Sequence, residues 1–274
     1  MLYRDWSKLP VAKLGRISSE PTSCSNKQLD DRDYWDSMAP VYAGLYDNDW
    51  SHLEDRFISN IVGDILWRED PPIILDVGCA SRSIYSKLPN NRATTYIGLD
   101  YSLAMLENNP LNRIKNTMLI NGQMEKIPLG DRSADLTMAL FGTCSYSNDI
   151  ESFLRELRRV AKQDGLVLLS FLSRFSLLRL LKFQLVKNGR LETRVDNLSD
   201  NGPRVHFYTP DAARALVESA GFKSTFITGE GVLAGLFERP ALWSINHLLS
   251  QSVPGLSHSF AIVVSKGGNN AHCK

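Results

Sequence analysis

The sequence predicts an α/β protein built on a mainly parallel sheet with helices on both faces. Three observations lead there: short runs that are apolar throughout, amphipathic helical patterns between them, and acids at the ends of the first two runs. The 274 residues suffice for one large domain with appendages. Hydrophobic residues at 43% and charged residues at 22% are ordinary for a globular chain. A net charge of +1 supplies no global field to draw nucleic acid or an anionic membrane, so nucleic acid is not an expected partner.

The elements follow in order. Residues 1–33 read as a polar, turn-rich tail or strap, and residues 34–274 as the domain proper. Helical pattern begins at Tyr34. In "SHLEDRFISNIVGDILW" the apolar residues recur at three- and four-residue steps, with Ser51 as the expected N-cap. The runs "PPIILDVG", "TTYIGLD", "NTMLING", "ADLTMALF" and "GLVLLSF" are five expected strands. Before the fifth, "DIESFLRELRRVAKQDG" is an amphipathic helix with Asp149 as cap and Gly165 after its end. Then "YTPDAARALVESAGF" has Thr209 as cap, Pro210 at the first helical position and Gly221 as the stop. "KSTFITG" and "SFAIVVSK" complete the strands. Two apolar segments interrupt the alternation, at about 173–200 and 231–256, and read as lid insertions.

Cys24, Cys79, Cys144 and Cys273 form no C-x-x-C pair and no zinc-site spacing, so no metal is expected, and scattered thiols fit a reducing cytoplasm. The first thirty residues lack the apolar core of a signal peptide, and no run is long enough to span a membrane.

In an open parallel sheet, ligands bind at the carboxyl ends of the strands. Here the first strand ends at Asp76-Val77-Gly78 and the second at Asp100. An acid at the second tip can accept hydrogen bonds from both hydroxyls of a ribose. A dinucleotide site needs several glycines so that backbone can approach a pyrophosphate. "IILDVGCASRS" has one glycine before Arg82, and Asp76 would repel a pyrophosphate. The loop suits a nucleoside that carries a cation and no phosphate. Asp76 capping a turn and Asp100 capping the helix at Ser102 remain open structural alternatives.

From about Tyr34 to Lys266 the chain resembles the class I (Rossmann-like) S-adenosylmethionine-dependent methyltransferases of small-molecule type. "ILDVGCASRS", "YIGLDYSLAML", "INGQMEKIPLGDRSADLTMALF", "FLRELRRVAKQDGLVLLSF" and "HFYTPDAARALVESAGF" stand in the family's order, and "YWDSMAPVY" resembles its cofactor-closing helix. The resemblance implies a mostly parallel seven-stranded sheet with helices on both faces, plus helical lid insertions, and S-adenosyl-L-methionine as cofactor. It implies that Asp76 and Gly78 line the methionine half, that Ala80 is also a cofactor-binding residue, that Asp100 holds the ribose, and that Tyr101 lies beside the adenine. It places Gln123 and Met124 at the adenine, Leu140 and Phe141 beneath the sulfonium, and Tyr34 and Tyr42 at the cofactor carboxylate or the substrate. Ala80 and Arg82 replace glycines of the family's turn, and Gln123 replaces a common acid.

Methyl transfer asks chiefly for alignment in a dry pocket. If the acceptor must lose a proton, His206 or Tyr42 is the expected base, with a structural role for His206 as the alternative and His247 as a second histidine at the pocket wall. No Asn-Pro-Pro-Tyr, Asp-Pro-Pro-Tyr or Pro-Cys motif is present, which argues against nucleobase methylation. Phe175, Leu178, Leu181, Phe183, Phe237, Trp243 and Leu248 suggest a hydrophobic cover and therefore an apolar small-molecule substrate, of the kind met in natural product biosynthesis. A cyclase or isomerase that uses the cofactor as a fixed charge, and a binding module without catalysis, are the other readings. The basic residues of 173–194 (Arg174, Arg179, Lys182, Lys187, Arg190, Arg194) form either a solvated face or a membrane contact.

Overall fold

The computed structural model describes residues 31–66, 72–82, 84–85, 94–185, 196–197, 203–234 and 236–266. The tail before Asp31, Cys24, Cys273, Lys187, Arg190 and Arg194 lie outside the described residues, as do the side chains of Lys182 and Phe183.

In chain order the elements are α1 (Asp31–Leu45), α2 (Asp49–Leu66), β1 (Ile73–Val77), β2 (Thr95–Asp100), α3 (Leu103–Glu107), β3 (Thr117–Asn121), β4 (Ala134–Ala139), α4 (Ile150–Val160) and β5 (Ala161–Leu172). They continue with α5 (Leu177–Leu185), β6 (Asp196–Asn197), β7 (Arg204–Val205), α6 (Pro210–Ser219), β8 (Lys223–Gly229), α7 (Trp243–Ser252) and β9 (Ser259–Ser265). Seven strands form one sheet in the order β3-β2-β1-β4-β5-β9-β8; β6 and β7 make a separate two-stranded ribbon. The strands β1 to β5 pair in parallel, and β9 runs antiparallel between β5 and β8. This is the mostly parallel sheet that the apolar runs predict, with the seven strands that the family resemblance implies.

Alternate side chains of a strand leave on opposite faces, so each strand feeds two cores. Leu75 and Val77 join Phe153, Leu157 and Val160 of α4 and Ala213 and Val217 of α6 in one core. Ile74 joins Tyr96, Ile58 and Val62 of α2 and Leu106 of α3 in the other. The order of the strands reverses between β1 and β4, and the crevice at their carboxyl ends is the expected ligand site of such a sheet.

Several local expectations hold and two change. Asp149 caps α4 by accepting from Ser152 N at 3.0 Å, and Thr209 caps α6 from Ala212 N at 3.2 Å. Gly221, at φ 85°, ends α6: its N–H bonds Glu218 O and that of Phe222 bonds Val217 O, the doubled closure of a Schellman turn. Ser51 is not the cap of α2. Asn48 is, through Ser51 N at 3.0 Å, because the helix starts three residues earlier, at Asp49. Nor does Gly165 stop α4, which ends at Val160 and passes directly into β5. Gly165 lies within that strand, where a Cβ would sit 3.0 Å from Asp135 O, at the register shift between β4 and β5.

Candidate functional site

The carboxyl ends of β1, β2 and β4, with α1 above them, enclose a cavity of about 440 Å³. The chain after β1 must turn sharply to reach it. Gly78 takes φ 73°, and a Cβ there would lie 2.7 Å from the Thr143 side chain, so only glycine lets the two loops press together. Ala80 also adopts left-handed backbone, φ 48°. It is held on both sides: its N–H donates to Asp100 Oδ2 at 2.8 Å, and its carbonyl accepts from Asn109 Nδ2 at 2.6 Å. Ala80 is therefore kept in glycine-like geometry without being a glycine.

Asp100 sits at the tip of β2 and faces the cavity. Burial pushes its carboxyl up, and the amides of Ser102 and Ala80 offset part of that. Arg82 does not block the turn. Its guanidinium donates to Asp55 of α2 and stands 5.5 Å from the Tyr46 ring. It is the one Lys or Arg among the described residues lining the cavity, and its charge is already met by a carboxylate with a side chain only 3% exposed. The cavity therefore holds acids but no unengaged cation, which suits a positively charged nucleoside better than a pyrophosphate.

Of the residues marked in the sequence, Tyr42, Gly78, Ala80, Asp100, Tyr101, Gln123, Met124, Leu140 and Phe141 line this one cavity. Tyr34, Asp76 and His206 do not. The expectation that Asp76 faces the methionine half is corrected: strand alternation turns it, with Ile74, toward the α2 face. There it is 4% exposed, accepts from Tyr96 Oη at 2.7 Å, and is pushed by burial up to about 7. Tyr34 instead meets Trp35 edge-on at 5.0 Å. His206 is fixed through its backbone N–H on Ser145 O at 2.8 Å, and burial with nearby Arg204 lowers its imidazole. His247 is not a pocket wall either; it packs on Phe57 of α2 at 5.0 Å.

Tyr42 does reach the cavity, but burial and a hydrogen bond to Tyr46 hold its phenol well above the ordinary range, so it is a poor base. The aromatic wall is completed by Trp35, Tyr46 and Tyr146, none of which was singled out in the sequence. Trp35 meets Tyr146 at 5.2 Å and Tyr42 at 6.3 Å, both edge-on. "YWDSMAPVY" contains the signal for Trp35; Tyr146 lies in a 3₁₀ turn, Thr143–Tyr146, that no periodicity announces.

The expected hydrophobic cover is only partly placed. Trp243 of the second insertion packs on Trp50 of α2 at 5.2 Å, while Phe237 and Leu248 are 58% and 64% exposed; none of the three lines the cavity. In the first insertion Arg174 lies over Phe175 and Arg179 over Phe207, at 5.0 and 4.1 Å. Arg179 also donates to the carbonyls of Ser173 and His258. These two cations are folded onto the protein rather than presented as a basic face. Among the described residues no helix is long and apolar enough to cross a membrane.

Comparison with known proteins agrees with this fold. A methyltransferase domain model matches residues 75–169. An uncharacterized protein of Methanocaldococcus jannaschii is 24% identical over 214 residues, 73% of this chain and 79% of that one. The demethylmenaquinone methyltransferase of Thermotoga maritima is 35% identical over 116 residues, 40% of this chain and 48% of the relative. Among solved structures, the complex of a Haloferax volcanii methyltransferase with its Trm112 activator has a chain that superposes with a TM-score of 0.61. That match has 15% identity, over 89% of this chain and 100% of that one.

Proposed function

We propose that the chain is a class I S-adenosylmethionine-dependent methyltransferase, with S-adenosylmethionine as its cofactor, and that it methylates a small, largely apolar organic acceptor admitted beneath α1. One observation carries the reading. One cavity is lined both by the Asp100 carboxyl, at the tip of β2, and by the aromatic side chains of Trp35, Tyr42, Tyr46, Phe141 and Tyr146.

The residues fit the cofactor. A carboxyl raised by burial is stabilised by any donor that reaches it, and the ribose hydroxyls are such donors, so Asp100 would hold the ribose. Gln123 and Met124 would flank the adenine beside Tyr101, whose ring is covered by the Arg32 guanidinium at 4.2 Å. Gly78 and Ala80 would lie along the methionine half, with Leu140 and Phe141 under the sulfonium. When bound, S-adenosylmethionine supplies an electrophilic methyl on a positively charged sulfur.

What the chain contributes is order and dryness. The aromatic wall excludes water and restricts the acceptor to approach in line with the donor. No histidine lines the cavity among the described residues, and Tyr42 and Tyr146 are both raised by burial. The reading therefore assigns Tyr42 a hydrogen-bond donor's role and favours an acceptor already nucleophilic near neutral pH.

The test is calorimetric titration with S-adenosylmethionine and S-adenosylhomocysteine, with Asp100→Ala alongside. Loss of the ribose hydrogen bonds to the Asp100 carboxyl is expected to weaken both ligands about 10- to 100-fold. Incubation of the loaded enzyme with apolar phenols, quinols and amines then asks whether S-adenosylhomocysteine forms. Tight binding without methyl release for any acceptor would favour the cyclase or binding-module reading instead.

A further inference from the structure

Beyond the cavity wall lies a buried carboxyl with an unsatisfied oxygen. Glu230 follows the last residue of β8 and is 8% exposed; its N–H donates to Ser259 O at 2.8 Å. Its Oε2 accepts from Ser170 Oγ at 2.7 Å, while its Oε1 has no partner among the described residues. Burial raises this carboxyl, and the Ser170 hydroxyl offsets only part of the shift. A protein retains such a group at a cost, so what it touches matters.

Ser170 passes the contact on. Its Oγ accepts from Gly142 N at 2.7 Å. Gly142 has φ 81° and Phe141 φ 53°, two consecutive left-handed residues, of which the phenylalanine is strained. A Cβ on Gly142 would lie 2.7 Å from Leu172, so the turn is closed against β5. Thr143 bonds Leu140 O through both its N–H, at 3.1 Å, and its Oγ1, at 2.7 Å. Its side chain is the surface that Gly78 meets. A continuous path of contacts thus runs from Glu230 through Ser170 to Gly142 and Thr143, and from there to the turn after β1.

We propose that Glu230 is a positioning residue for the cofactor: through Ser170 it holds the Phe141–Thr143 turn against Gly78 and thereby shapes the methionine end of the cavity. The inference rests on the cofactor placement given above. It also gives the second insertion a link to the cavity. Glu230 stands at the neck of that insertion, where His258 N bonds Gly231 O at 2.8 Å.

The experiment compares two ligands that share the nucleoside and differ in the amino-acid portion, S-adenosylhomocysteine and 5′-methylthioadenosine. Each is titrated into the full chain as wild type, Glu230→Leu, Glu230→Gln and Ser170→Ala. Glu230→Leu is expected to weaken S-adenosylhomocysteine about tenfold while 5′-methylthioadenosine stays within about twofold. Glu230→Gln, which keeps an acceptor for Ser170, should return to within about threefold of wild type. Ser170→Ala should copy the leucine variant, and it decides the matter if that variant does not fold. Equal losses for both ligands, or undiminished S-adenosylhomocysteine binding in Ser170→Ala, would overturn the proposal alone. A wild type that binds neither ligand would overturn the cofactor placement and this inference with it.

Discussion

Ala80 shows how a residue other than glycine can hold a glycine-like turn. Left-handed backbone costs alanine about 1–2 kcal/mol relative to glycine, and the Asp100 and Asn109 hydrogen bonds hold it there. Ala80→Gly is therefore expected to relieve strain, less about 0.4–1 kcal/mol from the greater freedom of the unfolded chain. The net gain of about 0.5–1 kcal/mol corresponds to a thermal midpoint about 2 °C higher, measurable by calorimetry. A lower midpoint would mean that the Ala80 methyl, packed with Met105 and Trp35 in the cluster under α1, matters more than its φ. Arg82 acts differently. Its ion pair with Asp55 ties the turn to α2 and spends the positive charge away from the ligand.

At the scale of elements, α1 is the part whose placement makes the cavity. Few of its residues are buried, and Pro40 lies inside it, so propensity alone does not hold it. Docking does. Asp36 accepts from Ser102 Oγ, the cap of α3, and Met38 and Ala39 pack on Met105. The carboxylate thus joins the roof to the helix that follows Asp100. In Asp36→Ala the roof should open more often, and S-adenosylhomocysteine should dissociate about tenfold faster in stopped flow, with a smaller change in association. An unchanged off-rate would show that the aromatic contacts of Trp35 suffice.

Across the whole molecule, three carboxyls share one electrostatic habit. Asp76, Asp100 and Glu230 are all raised by burial. For each, the native state keeps a proton that the unfolded chain releases near pH 4. The stability that protonated Asp76 contributes is full below that pH and is lost as pH rises through about 7. The urea stability of wild type, relative to Asp76→Asn, should accordingly fall between about pH 4 and 7 and level off above it. A difference independent of pH would show that the Tyr96 hydrogen bond holds Asp76 charged throughout.

The sequence by itself determined the sheet and its covering helices, because apolar runs, caps such as Asp149 and Thr209, and the Gly221 stop all act within a few residues of themselves. It also determined that an acid stands at the tip of β2, since a strand's end and the residue occupying it are local facts. Only the tertiary structure decided which residues share the cavity. Asp76 went to the far face because alternation along β1 and the waiting Tyr96 hydroxyl act together, and strand parity alone does not name a partner twenty residues away. Tyr146, the Arg82–Asp55 pair and the Glu230–Ser170–Gly142 path join segments 27 to 60 or more residues apart. The exposed Phe237 and Leu248 were decided the same way: apolar character marks a side chain that gains from burial, but what covers it depends on where distant segments come to rest.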